Sequence, residues 1–92
     1  MKLQKKEKLL IVDDSRFQRV VFREMLAEKF EILEAVDGKE CLEIIKKNGN
    51  NIDIVLLDLV MPNMDGFEVL RKRQTIKEFE SIPVIALTTS NE

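Results

Sequence analysis

Two stretches of the chain are apolar almost without interruption. Residues 8–13 read KLLIVD and residues 52–57 read IDIVLL. Short continuous runs of this kind mark strands buried on both faces. Residues 30–35, FEILEA, alternate instead, with Ile32 and Leu33 central, and predict another strand. A last one, VIALT at 84–88, follows the break made by Ser81, Ile82 and Pro83. Helical spacing fills the gaps. From Ser15, a good N-cap, to about Lys29 the apolar positions are Phe17, Val20, Val21, Phe22, Met25 and Leu26. They sweep about 240° of a helix, so this helix expects cover from a sheet and from a second neighbour. Asp37 and Gly38 mark a turn into a second helix over 39–48, with Cys41, Leu42, Ile44 and Ile45 on one side. Residues 48–51, NGNN, stop it. After the loop MPNMDG, Phe67, Val69 and Leu70 open a third helix that runs to about Thr75.

The order βαβαβαβ calls for an α/β fold: a doubly wound parallel sheet with helices on both faces. Right-handed crossovers restrict its topology. Sites in such sheets form beyond the C-terminal strand ends, where strand order reverses. Asp13 and Asp14 end the first strand and Asp58 ends the third. If the order is 2-1-3-4, these strands are neighbours and the three acids share one crevice.

Composition narrows the chemistry. The 92 residues fit one small domain, without internal repeat or low-complexity segment. Hydrophobic residues make up 45% and charged residues 35%, which places the chain among globular rather than disordered sequences. A formal charge of −2 gives no global electrostatic case for nucleic acid or an anionic membrane. No apolar run approaches a membrane span, and the basic start, residues 1–7, reads as a solvated lead-in. A cytoplasmic protein is expected. There is no histidine, which removes imidazole acid–base chemistry and histidine metal sites. The single cysteine, Cys41, reads as a small buried hydrophobe.

Whatever chemistry exists must use carboxylates, hydroxyls, lysine or arginine. Taken singly, each of the three acids is better read as a helix cap or a solvent-facing residue; Asp14 or Ser15 would cap the first helix. Together, they repel one another and call for a counter-charge. A hard divalent cation such as Mg²⁺ prefers this oxygen-donor set. One carboxylate is then available as a nucleophile that forms an acyl phosphate.

The acidic pair in LLIVDDS, the loop LLDLVMPNMDGFEVL and the hydroxyl ending PVIALT occur in a specific order and spacing. In these marks the chain resembles the receiver domain of two-component response regulators, over about residues 8–91. The resemblance implies a flavodoxin-like receiver over residues 8–92. It makes Asp58 the phosphoacceptor, Asp14 a direct Mg²⁺ ligand and Asp13 a ligand mainly through water. Val60 would give its main-chain carbonyl to the metal. Thr88 would be the switch hydroxyl, and the Thr89 N–H a further phosphoryl contact. Val60 and Ser90 fall on positions that tune dephosphorylation, and Pro62 and Gly66 shape the loop. The implied partner is a sensor histidine kinase, and the implied class is a switch rather than a metabolic enzyme.

Some family marks have no counterpart here. A full receiver has a fifth strand ending in lysine, whereas the last lysine of this sequence is Lys77. The expectation is a C-terminally incomplete receiver, part of a longer gene product. Strand four would then be an open edge, so the chain is expected to dimerise through it or by exchange of elements. The alternative is a pseudo-receiver used only for protein interaction. An aspartate-nucleophile phosphatase of the haloacid dehalogenase type would need an acid at position 60, which is valine. Nucleotide-binding relatives of the fold would need a glycine-rich loop where this chain has Asp-Asp-Ser-Arg.

Overall fold

The structure, a computed structural model, describes residues 5–88. Its elements are β1 (Glu7–Val12), α1 (Arg16–Leu26), β2 (Phe30–Ala35), α2 (Gly38–Asn48), β3 (Ile54–Asp58), α3 (Gly66–Arg73), α4 (Lys77–Glu80) and β4 (Val84–Leu87). The strands form one sheet in the order β2-β1-β3-β4, with every neighbouring pair parallel. The expected topology is the observed one, and the C-terminal ends of β1 and β3 lie side by side.

Local capping explains the helix starts. The Ser15 hydroxyl accepts from the Gln18 N–H at 3.2 Å, Asp37 from Glu40 at 2.8 Å and Asp65 from Glu68 at 3.0 Å. Some boundaries differ from the pattern. β3 begins at Ile54 rather than at 52, because a short 3₁₀ turn over Gly49–Asn51 delivers Ile52 into the core first. Asp53 then anchors the start of β1: its carboxylate accepts from the Lys8 N–H at 2.7 Å and its own N–H donates to the Lys8 carbonyl. α1 ends at Leu26, short of Lys29. α4 is absent from the hydrophobic pattern altogether. It forms because Phe79 is fully buried, with the Arg73 guanidinium 5.7 Å from its ring centroid and donating to the carbonyls of Glu80 and Ile82.

The two faces of the sheet are covered unequally. On one, Leu10, Val12, Ala35, Val55 and Leu57 pack with Cys41, Ile45, Val69 and Phe79 from α2, α3 and α4. On the other, Leu9, Ile11, Ile32 and Leu56 meet Phe22 and Leu26 of α1. No residue of α1 is itself buried, and Phe17 and Met25 are 74% and 69% exposed. The broad apolar sweep of this helix has one covered side among the described residues. β4 pairs with β3, and its Ile85 is half exposed. No helix among the described residues is long and apolar enough to cross a membrane.

An ion-pair cluster ties α1 to β2. Glu34 accepts from Arg19 Nε at 2.8 Å through one oxygen and from Arg23 at 2.7 Å through the other. Burial raises the Glu34 pKa, but the hydrogen bonds from Arg23 and Arg19 outweigh it and hold the carboxyl below its ordinary 4.5. A carboxyl lowered on folding stabilises the fold above its ordinary pKa and loses that contribution as pH falls through the lowered one. Glu34→Gln is therefore expected to melt below the wild type at pH values above 4.5, with the gap closing in more acid solution. Thermal melts across that range check it; a gap that persists unchanged in acid would assign it to lost packing.

Candidate functional site

Asp13, Asp14 and Asp58 meet at the C-terminal ends of β1 and β3, each with a carboxylate oxygen within 4.8 Å of the others. Asp13 and Asp58 are buried, at 3% and 4% exposure, and Asp14 is exposed. The crevice is thus closed at its floor and open on the Asp14 side. Nearby backbone amides aim two of the acids. The Ser15 N–H donates to Asp13 Oδ1 at 2.9 Å, and the Val60 N–H donates to Asp58 Oδ1 at 3.1 Å. The Asp13 N–H extends the ladder to the Ala35 carbonyl at 3.1 Å.

Charge is concentrated here against its own preference. Burial pushes the Asp13 carboxyl above its ordinary range, the Ser15 hydrogen bond notwithstanding, and the charges of Asp58 and Asp14 push the same way. Three oxygen-donor carboxylates under such repulsion fit a hard divalent cation, which would remove it. Nothing in the set suits a soft metal: the lone thiol, Cys41, is buried elsewhere with its pKa pushed up to about 12.

The loop after Asp58 is held from two directions. Leu59 donates to the Leu87 carbonyl at 2.9 Å and accepts from the Gly66 N–H at 3.1 Å. A Cβ on Gly66 would lie 2.6 Å from the Asp58 carbonyl oxygen and 2.6 Å from Leu59 Cα, so the helix start is pressed against the strand end. Gly38 plays the same part from α2, where its N–H donates to the Met64 carbonyl at 3.2 Å. Asn63 takes φ 65°, a left-handed conformation that asparagine tolerates. Pro62 and Val60 are exposed on this loop. Thr88 leaves β4 one residue past Leu87, which pairs with Asp58, and is exposed. Thr89 and Ser90 lie outside the described residues.

Gly38 and the pair Arg19 and Glu34 were not singled out from the sequence as site residues. Arg19 Nη1 donates to the Asp13 carbonyl at 2.8 Å, which connects the crevice to the cluster on β2. The available signal was the spacing of Arg19 and Arg23, one helical turn apart, opposite an acid of an alternating strand. An open groove lined by Gly49, Asn50, Asp53, Lys77 and Pro83 lies at the other end of the strands and contains none of these residues.

Comparison with known proteins gives concordant results. A family model described as the response regulator receiver domain matches residues 9–92. The chain is 42% identical over 85 residues to the chemotaxis protein CheY of Halobacterium salinarum, covering 91% of this chain and 67% of that one. It is 37% identical over 86 residues to the transcriptional regulatory protein SrrA of Staphylococcus aureus, covering 94% of this chain. It spans about a third, 34%, of that protein. Among solved structures, the complex of CheX and CheY with BeF₃ and Mg²⁺ from Borrelia burgdorferi matches with a TM-score of 0.76 and 34% identity, covering 94% of this chain and 64% of that one.

Proposed function

The chain belongs to the response regulator receiver family, and from that premise we propose that it is the phosphoacceptor of a two-component signalling system, with Asp58 the group that takes the phosphoryl. The observation that carries the reading is the meeting of Asp13, Asp14 and Asp58 within 4.8 Å at the strand ends. Asp14, Asp58 and the Val60 carbonyl would hold Mg²⁺ directly, and Asp13 would hold it mainly through water. When bound, the ion supplies neutralisation of charge on the transferring group. The phosphoryl donor is a phosphohistidine of a sensor histidine kinase. An Asp58 oxygen attacks phosphorus, the P–N bond breaks and the imidazole leaves with the electron pair. The buried floor of the crevice fixes the attacking carboxylate, so positioning contributes much of the rate. Thr88 turns its hydroxyl toward the acyl phosphate and the Thr89 N–H adds a contact, biasing a two-state equilibrium. Water then attacks phosphorus, releasing inorganic phosphate and restoring Asp58. The Mg²⁺ of the Borrelia CheX–CheY complex supports the choice of ion. The switch operates in the cytoplasm.

The exposed β4 edge supports a second copy of this chain as a further partner. Its Ile85 is half exposed, and no strand among the described residues pairs with its outer side. One preparation tests both points. Incubation of the purified chain with acetyl phosphate and Mg²⁺ is expected to add one phosphoryl group to its intact mass, and to add none to Asp58→Asn. An adduct of equal yield on that variant would overturn the assignment of Asp58. Light scattering of the same samples at high concentration is expected to show a dimer, and a folded monomer throughout would remove the edge-pairing proposal.

A further inference from the structure

We infer that Arg19 is a positioning residue of the cation crevice, acting on Asp14 through the Asp13–Asp14 peptide while Glu34 holds its guanidinium in place. The inference rests on the reading of the crevice as a divalent-cation site.

Asp14 is the exposed member of the trio, and no hydrogen bond to its side chain occurs among the described residues. Its aim must come from the main chain that carries it. The peptide joining Asp13 to Asp14 is held at its carbonyl by Arg19 Nη1, at 2.8 Å. On the other side of Asp13, its N–H is held by Ala35, and its side chain is held by Ser15. Arg19 therefore completes the fixing of Asp13 and orients the peptide plane from which Asp14 departs. A guanidinium suits this task because its nitrogens form a rigid planar fork. Nε points at Glu34 Oε1 at 2.8 Å while Nη1 points at the carbonyl, so one group is oriented by two acceptors. The Arg19 side chain is 12% exposed, and Arg23 occupies the second oxygen of Glu34. Glu34 also offsets a positive charge that would otherwise oppose a cation nearby. Partners one step removed from a metal ligand commonly change affinity by about 10–100-fold.

Charge and position predict opposite outcomes, which makes the inference testable. Removing a cation from beside three carboxylates would tighten divalent binding if charge were the whole effect. Removing a brace weakens it. The experiment titrates Mn²⁺ into the folded chain and reads free ion by electron paramagnetic resonance. Arg19→Met is expected to bind about 10-fold more weakly. Arg19→Lys keeps the charge but loses the fork, and is expected to weaken binding by a smaller factor. In parallel, without any cation, the Asp14 amide resonance is expected to move in Arg19→Lys while the amides of α2 stay in place. Unchanged or tighter Mn²⁺ binding in the folded variants, with the Asp14 amide unmoved, would overturn the inference. If Arg19→Met does not fold, the Lys variant decides alone. If the wild type binds no Mn²⁺, the cation reading itself fails and the Asp14 amide then decides the role of Arg19.

Discussion

Asp58→Asn is expected to raise the melting temperature of the cation-free chain while abolishing the response to Mg²⁺ and the phosphoryl adduct. The substitution is nearly isosteric. An amide oxygen still accepts from the Val60 N–H, which lies 3.1 Å from Asp58 Oδ1. What disappears is one of three negative charges whose oxygens lie within 4.8 Å of one another. At that separation each like-charge pair costs about 3 kcal/mol with an effective dielectric near 20. The exposure of Asp14 screens part of this, so a net gain of about 1–2 kcal/mol is expected. For a domain of this size that is a rise of about 5–10 °C. The wild type should gain stability as Mg²⁺ is added, by the usual linkage of a ligand to the folded state, and the variant should not. Calorimetric melts with and without Mg²⁺ check both halves. A variant less stable than the wild type without cation would mean that the carboxylates are not in mutual repulsion.

Phe79→Ala is expected to be the most damaging single change in the core. Phe79 heads the fully buried side chains by volume, and its helix packs on α2, α3 and the 3₁₀ turn. Truncation of a buried phenylalanine costs about 3–5 kcal/mol in lost transfer energy and cavity. Here a second loss follows. The ring is the platform under the Arg73 guanidinium, which holds the Glu80 and Ile82 carbonyls at 3.1 and 2.7 Å. Arg73 Nε is already buried without a partner among the described residues, so the network has little reserve. Against a total stability of about 5–15 kcal/mol, the loss leaves the domain close to its threshold. Denaturant unfolding should show a midpoint lowered with little change in slope. A loss under about 1 kcal/mol would mean that α4 collapses inward to fill the space.

The acid crevice was legible because its residues close apolar runs. β1 and β3 announce themselves as continuous hydrophobic stretches, and acids at their ends are placed by topology. The expected strand order and the sharing of one crevice by Asp13, Asp14 and Asp58 are what the structure has. What was illegible depends on contacts made at a distance. Residues 77–80, KEFE, hold one apolar residue and no side-chain cap, so nothing local marks a helix; Phe79 makes it one by its burial. Ile52 reads as strand because it is apolar, although it serves the core from a turn. Nothing local distinguishes Arg19 from the other charged residues of α1. Its two partners, Glu34 and the Asp13 carbonyl, become neighbours once β2 lies beside β1.

The unequal cover of the sheet divides the crevice between two units of different local stability. Asp58 and its loop are anchored into the thick face, against Gly66, Gly38 and the core of α2 and α3. Asp14 and Ser15 lead into α1, a helix with no buried residue of its own. Amide hydrogens of α1 will exchange through partial openings that leave the rest of the fold intact. Each such opening takes Asp14 away from Asp58, which stays where it was. An ion held in the crevice would then be a clasp that joins α1 to the thickly covered face, and its affinity would include the free energy of closing α1.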